Sequence, residues 1–197
     1  MGRAARFDEA QFVRVAQRVI ATEGPAELTV QKIAAGAGAT IGSVYHRFPS
    51  LDAIQALAWI EAAEAFQGGF LDAIAKTNLF ESVRAGALYT PDFARRDLLG
   101  ARTLLRFEAA GLKALEPGPA LVQRIHRLER QLRRALGSLL KRSGTRSKAQ
   151  GIALLQFLLV EMPLAAIKPH LRRGQAPPAQ VDSLIGKTVD AFAGDLK

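Results

Sequence analysis

The stretch that most constrains this chain is Thr29–Ser50, TVQKIAAGAGATIGSVYHRFPS. It reads as two short helices joined by a tight turn. Thr29 caps the first, which runs to about Ala35, and Gly36-Ala37-Gly38 ends it. Thr40 caps the second, which runs to about Arg47. Two short helices crossing steeply need a small residue where they touch, and Ala34 stands there. Four places later the turn needs a residue that accepts positive φ, and Gly38 supplies it. Ile33, Ala37, Ala39 and Val44 fall where apolar side chains would pin both helices to a supporting one. Together these positions describe a helix-turn-helix, against the competing reading of a helical corner in an unrelated bundle. Gly36-x-Gly38-x-x-x-Gly42 is not a dinucleotide-binding loop, because its spacing is off by one and it follows helix, not strand.

The second helix presents Thr40, Ile41, Gly42, Ser43, Tyr45 and His46 outward. These are short or hydrogen-bonding side chains, unlike the charged surface of an ordinary solvated helix. Gly42 costs the helix about 1 kcal/mol relative to alanine, which makes sense if its backbone must approach another molecule closely. The N-terminus of such a helix also offers free N–H groups to a phosphate.

Thr29-x-x-x-Ile33-Ala34-x-x-x-Gly38-Ala39-Thr40-x-Gly42-Ser43-Val44-Tyr45-His46-x-Phe48-Pro49-Ser50 resembles the DNA-binding signature of the tetracycline-repressor-like (TetR) family, and the likeness spans about residues 7–60. The resemblance implies an all-α chain with a helix-turn-helix DNA-binding domain over residues 1–50 and a helical ligand-sensing and dimerisation domain over 51–197. It implies that Thr29, Thr40, Ser43, Tyr45 and His46 contact phosphates or nearby bases, with Ile41 and Gly42 against base edges. Ile41 would read a thymine methyl, a group displayed only in the major groove. Two positions depart from the family pattern. Leu51 stands where a basic residue usually touches the backbone, and Arg47 stands where an aromatic is frequent and is the candidate for the missing charge. Arg3 and Arg6 read either as a disordered tail or as a basic arm reaching the DNA flank.

Charge adds little to this case. The chain of 197 residues carries a net +9, which suits an anionic partner. Residues 1–50 hold only +2 of it, so the excess is not concentrated on the reading head. With 49% hydrophobic residues the chain is a folded globular protein, and with no cysteine it has neither a disulfide framework nor a thiolate metal site. His46, His126 and His170 lack metal-ligand spacing, so no metal or cofactor is expected. Apolar residues from Ile152 to Ile167 are interrupted by Gln156, Glu161 and Pro163 and fall short of the roughly 20 needed to span a bilayer. A cytoplasmic protein without a membrane partner is expected.

The remainder reads as helices. One runs from Leu51 to near Lys76, loosened at Gly68-Gly69. A short one is expected around 79–89, and Pro91-Asp92 should open another reaching about Ala110. Leu121, Ile125, Leu128, Leu132, Leu136 and Leu139 mark the clearest helix, which Gly144 closes. Its opposite side carries Arg124, Arg127, Arg130 and Arg134, most simply a solvated face. Apolar helices at about 147–168 and 179–196 follow. By the resemblance, these two would form an intersubunit four-helix bundle in a homodimer. Two reading heads would then meet a near-palindromic double-stranded operator, and a small-molecule effector would release them by displacing the fourth helix. Trp59, Phe66, Arg102, Arg106 and Phe107 are the candidate effector residues, although core packing for the aromatics and solvent exposure for the arginines compete with that role. Glu161 stays open between pocket, interface and edge. A helical enzyme, or an adaptor with a non-functional helix-turn-helix, is the alternative class, but no nucleophile–base constellation is visible.

Overall fold

The computed structural model describes residues 8–107, 114–143 and 147–196. Arg3, Arg6, Gly111 and Gly144 lie outside the described residues. Those described form an all-helical chain: α1 (Glu9–Thr22), α2 (Val30–Ala37), α3 (Ile41–Tyr45), α4 (Leu51–Ile74), α5 (Leu79–Arg96), α6 (Leu98–Arg106), α7 (Pro119–Arg142), α8 (Lys148–Gln156), α9 (Met162–Arg172) and α10 (Gln180–Ala191). A π-helical segment, Phe157–Glu161, joins α8 to α9 without a break.

The caps expected at Thr29 and Thr40 form, and Ser50 caps α4 in the same way. Thr29 Oγ1 accepts from Lys32 N at 3.2 Å, Thr40 Oγ1 from Ser43 N at 3.2 Å, and Ser50 Oγ from Ala53 N at 3.1 Å. Asp8 sits at the N-cap of α1 in extended backbone, but its side chain makes no cap bond. Gly38 has φ 65°, the left-handed value the turn requires. Gly36, expected in that turn, is instead helical, and it is a glycine for a different reason. A Cβ there would come 2.6 Å from Val15 Cγ1 on α1.

Two expectations about later helices need correction. α4 passes through Gly68-Gly69 unbroken, because the face of Gly69 lies against the Tyr89 ring, which a Cβ would strike. Pro91 does not open a helix. It lies buried inside α5, and the break falls six residues later at Asp97. Asp97 Oδ1 accepts from Gly100 N at 2.9 Å and so starts α6. A proline in a helix loses one N–H bond and crowds the preceding turn. Here tertiary packing on both sides of α5 holds the helix straight through it.

Three apolar clusters organise the molecule. The first holds Phe12, Ile20, Ile33, Val44 and Phe48 from the N-terminal helices, together with Ile54, Leu57 and Ala58 of α4. The second lies between α4, α5 and α7–α10 and includes Phe70, Val83, Leu139, Leu158, Ile167 and Ile185. A small third cluster, Ala56, Ile60, Ala63 and Leu128, lies between α4 and α7. α4 contributes to all three, so it joins the N-terminal helix-turn-helix unit to the rest. α8 through α9 form one continuous helix of 25 residues, Lys148–Arg172, which contrary to the sequence expectation is long and apolar enough to cross a membrane by length and composition. Leu155, Leu158, Leu159, Ile167 and Leu171 of that helix face the second core. Ile152, Phe157, Val160 and Leu164 are exposed, as is Leu184 of α10.

Candidate nucleic-acid interface and inner cavity

α3 has one inward side chain. Val44 is buried in the first core, while Ile41, Gly42, Tyr45 and His46 are exposed around it. Tyr45 is 61% exposed and Ile41 43%, which is unusual for large apolar surface with no structural partner. Thr40 and Ser43 flank this face, and their hydroxyls share a 2.9 Å hydrogen bond. Thr29, at the start of α2, is exposed beside its own cap. Gly42 has open space beyond it: a Cβ would meet only Thr40 Oγ1, at an ordinary 3.8 Å. Nothing inside the protein therefore requires a glycine at this position.

Cations near this face are engaged within the protein. Arg47 is half-buried, with its guanidinium 5.7 Å from the centre of the Phe12 ring and Nη1 donating to Ser43 O at 3.4 Å. Lys32 Nζ pairs with Glu23 at 2.7 Å and Glu27 at 3.5 Å, and the Glu23 hydrogen bond raises its pKa above the usual lysine value. Leu51 packs on the first core. Sequence reasoning missed Gln11, whose Nε2 donates to Ala37 O at 3.1 Å and ties α1 to the end of α2. No local motif announces such a contact.

The second feature is a pair of half-open apolar chambers, the smaller of which reaches the surface at the exposed Val160 and Leu164. The larger, about 800 Å³, lies between α4, α6 and α7, and Trp59, Phe66, Phe107 and Leu128 are among its walls. A smaller chamber of about 410 Å³ lies between α5, α6 and α9. Phe66, Leu104, Phe107 and Leu132 border both, so the chambers adjoin across a waist of four apolar side chains. Phe66 is held there by stacking on Phe70 at 5.4 Å and by an edge contact with Phe93 at 5.3 Å. Three of the five expected effector residues, Trp59, Phe66 and Phe107, line this space. Arg102 and Arg106 do not. Arg102 lies beside Gly174, past the end of α9. Arg106 turns to α1 and donates to Ala21 O and Thr22 O, both at 3.4 Å. Among the described residues the ionisable groups that do line the cavity are His126, Glu129 and Arg133 in the larger chamber and Lys168 in the smaller, and none of them was expected to meet an effector.

Arg106 belongs to a seam between α6 and α1. Thr103, fully buried, donates to Leu99 O at 2.9 Å and approaches Gln17 O at 3.4 Å. Gln17 Nε2 in turn donates to Ala58 O of α4 at 3.0 Å. One face of α6 therefore lines the cavity while its other face grips the reading head. Among the described residues no cluster of His, Asp and Glu is arranged to hold a metal.

The described residues thus form a small helix-turn-helix unit docked on a larger all-helical body with an apolar cavity. Residues 12–55 match the model of the bacterial regulatory proteins of the tetR family. The whole chain shares its fold with solved members. A TetR family transcriptional regulator from Thermus thermophilus, PfmR, superposes with a TM-score of 0.70 at 16% identity, covering 96% of this chain and 97% of that one. A TetR family transcription regulator from Marinobacter aquaeolei gives 0.69 at 15% identity over 91% and 92%. FadR from Bacillus subtilis, solved in complex with stearoyl-CoA, gives 0.65 at 16% identity over 96% and 100%. No curated protein sequence matches the chain.

Proposed function

We propose that the protein is a sequence-specific DNA-binding regulator that acts as a homodimer and leaves a near-palindromic operator when a small molecule fills its cavity. One observation carries the DNA half: α3 is anchored by Val44 alone and leaves Ile41, Gly42, Tyr45 and His46 free on one face. In this reading Ile41 and Gly42 lie against base edges, while Thr29, Thr40, Ser43, Tyr45 and His46 hold phosphates or adjacent bases. Arg47 and Lys32 are already engaged within the protein. The local positive potential then comes largely from backbone N–H groups at the starts of α2 and α3.

Two reading heads on one duplex must stand about 34 Å apart, one helical turn of DNA. The exposed apolar stripe on α8, α9 and α10 is the surface on which two copies would meet. Release is read through α6 as well as α4. An effector that moves Leu104 and Phe107 moves Thr103 and Arg106 with them, and these hold α1. The FadR neighbour, solved with an acyl-CoA, supports an apolar effector for this fold. Only differential affinity between two shapes is needed, typically about 1–3 kcal/mol of coupling.

The test is a gel shift with the DNA upstream of the protein's own gene and with a randomised duplex library, over a range of salt. Salt-sensitive, sequence-selective binding that vanishes in the Ile41→Ala/Tyr45→Ala double variant is expected, with the dimer still folded. Unchanged affinity in that variant would show that α3 is not the reading helix, and absence of selective binding in both arms would overturn the reading.

A further inference from the structure

The two chambers differ in how their charges are balanced. In the larger one, His126, Glu129 and Arg133 lie on successive turns of α7, so both signs are present on one rim. In the smaller one, among the described residues, Lys168 is the one ionisable lining residue, Thr90 is the other polar one, and the rest are apolar. Lys168 is half-buried and forms no ion pair among the described residues. A cation at the edge of an apolar chamber is poorly compensated until an anion arrives. The side chains shared by the two chambers, Phe66, Leu104, Phe107 and Leu132, are all apolar, a lining that suits a hydrocarbon better than a charged group.

Resting on the effector reading above, we propose that the effector is a linear amphipath with a single anionic head. The head sits at Lys168 and Thr90, and the hydrocarbon passes the waist into the chamber walled by Trp59. A carboxylate suits the head site: Lys168 supplies the charge-assisted hydrogen bond and the Thr90 hydroxyl supplies a neutral one. The orientation follows from the same balance. Entering head-first into the α7 chamber would place the anion near Glu129 and leave Lys168 uncompensated.

Trp59 is the chain's one tryptophan and lines the tail chamber, so its fluorescence reads this geometry without DNA. The probes are dodecanoate, dodecanol and dodecyltrimethylammonium below their micelle-forming concentrations, with ω-bromo- and α-bromododecanoate as positional quenchers. Dodecanoate is expected to bind about tenfold more tightly than the alcohol, the size of one charge-assisted hydrogen bond. The ammonium is expected to bind most weakly. Lys168→Met should abolish the preference for the acid while still binding the alcohol, and Lys168→Arg should keep it. The ω-bromo acid should quench Trp59 more strongly than the α-bromo acid. Equal affinity for acid and alcohol, an undiminished preference in Lys168→Met, stronger quenching by the α-bromo acid, or no binding of any probe would each overturn the proposal. Operator affinity of the same preparation is measured separately, so failure here is distinct from failure of the DNA-binding reading.

Discussion

Gly36 and Gly42 stand six positions apart and answer to different partners. Gly36 faces Val15 of its own fold, whereas Gly42 faces open space. Gly42→Ala should therefore fold at least as well as the parent, gaining up to about 1 kcal/mol of helix propensity, yet lose operator affinity. Gly36→Ala should lower the melting temperature through the Val15 contact. Thermal unfolding and gel shifts of the two variants together check this, and a Gly42→Ala protein with full affinity would remove the close-approach argument. The caps at Thr29 and Thr40 and the left-handed Gly38 were legible in the sequence because each depends on residues three or four positions away. The Val15–Gly36 contact, the Gln11 bond to Ala37 and the Arg47–Phe12 stack were not, since each joins distant segments. Glu61 adds a pH signature. Burial raises its pKa above the usual glutamate value, and the attraction of Arg124 only partly opposes this. Its folded form holds the proton more tightly than the unfolded chain does, so it favours folding at acid pH, and that contribution is lost as pH rises through the raised value. Glu61→Gln is expected to be more stable than the parent at neutral pH, with the gap closing toward acid. Urea titrations across that range measure it.

At the level of elements, α6 is the piece whose two faces have different tasks. Leu104 and Phe107 border both chambers, while Thr103 and Arg106 hold α1. Arg106→Gln and Thr103→Val should leave Trp59-detected ligand binding within a few-fold of the parent. Both should weaken the ligand's effect on operator affinity by about tenfold, the order of one coupling contact. Parent-like release in both variants would assign the coupling to α4 alone. The seam could not be read from the sequence, where Arg106 stood between an effector contact and plain solvent exposure. The boundary between α5 and α6 was also misplaced, because Pro91 is a strong local signal for a helix start. Asp97, the actual cap, precedes an unremarkable Leu-Leu-Gly. Periodicity gave α7 correctly because its apolar residues recur without interruption. It could not show that Arg124 leaves the arginine face to pair with Glu64 at 2.8 Å.

For the whole molecule, the apolar stripe carries the expectation of a dimer. Ile152 is 46% exposed and Leu184 is 64% exposed, and neither lines a chamber. Ile152→Glu/Leu184→Glu should sediment as a monomer with unchanged helicity by circular dichroism, and should lose most of its operator affinity because one reading head engages one half-site. A dimer of parental stability would place the interface elsewhere. The all-α class and the reading head could be inferred from the sequence. The two-chamber cavity could not, because it is lined by residues drawn from five helices.

The wider turn at Phe157–Glu161 sets how this stripe is phased. Ile152 and Phe157 are exposed five residues apart, and Val160 and Leu164 four apart. The wide turn holds one residue more than an α-helical turn, so a chain lacking one residue of that segment would wind as a regular α-helix with the faces on either side still in phase. A codon lost from α9 ahead of Lys168 has no such slack: it would turn everything beyond it by about 100°, carrying Lys168 away from its chamber with the other lining side chains still present.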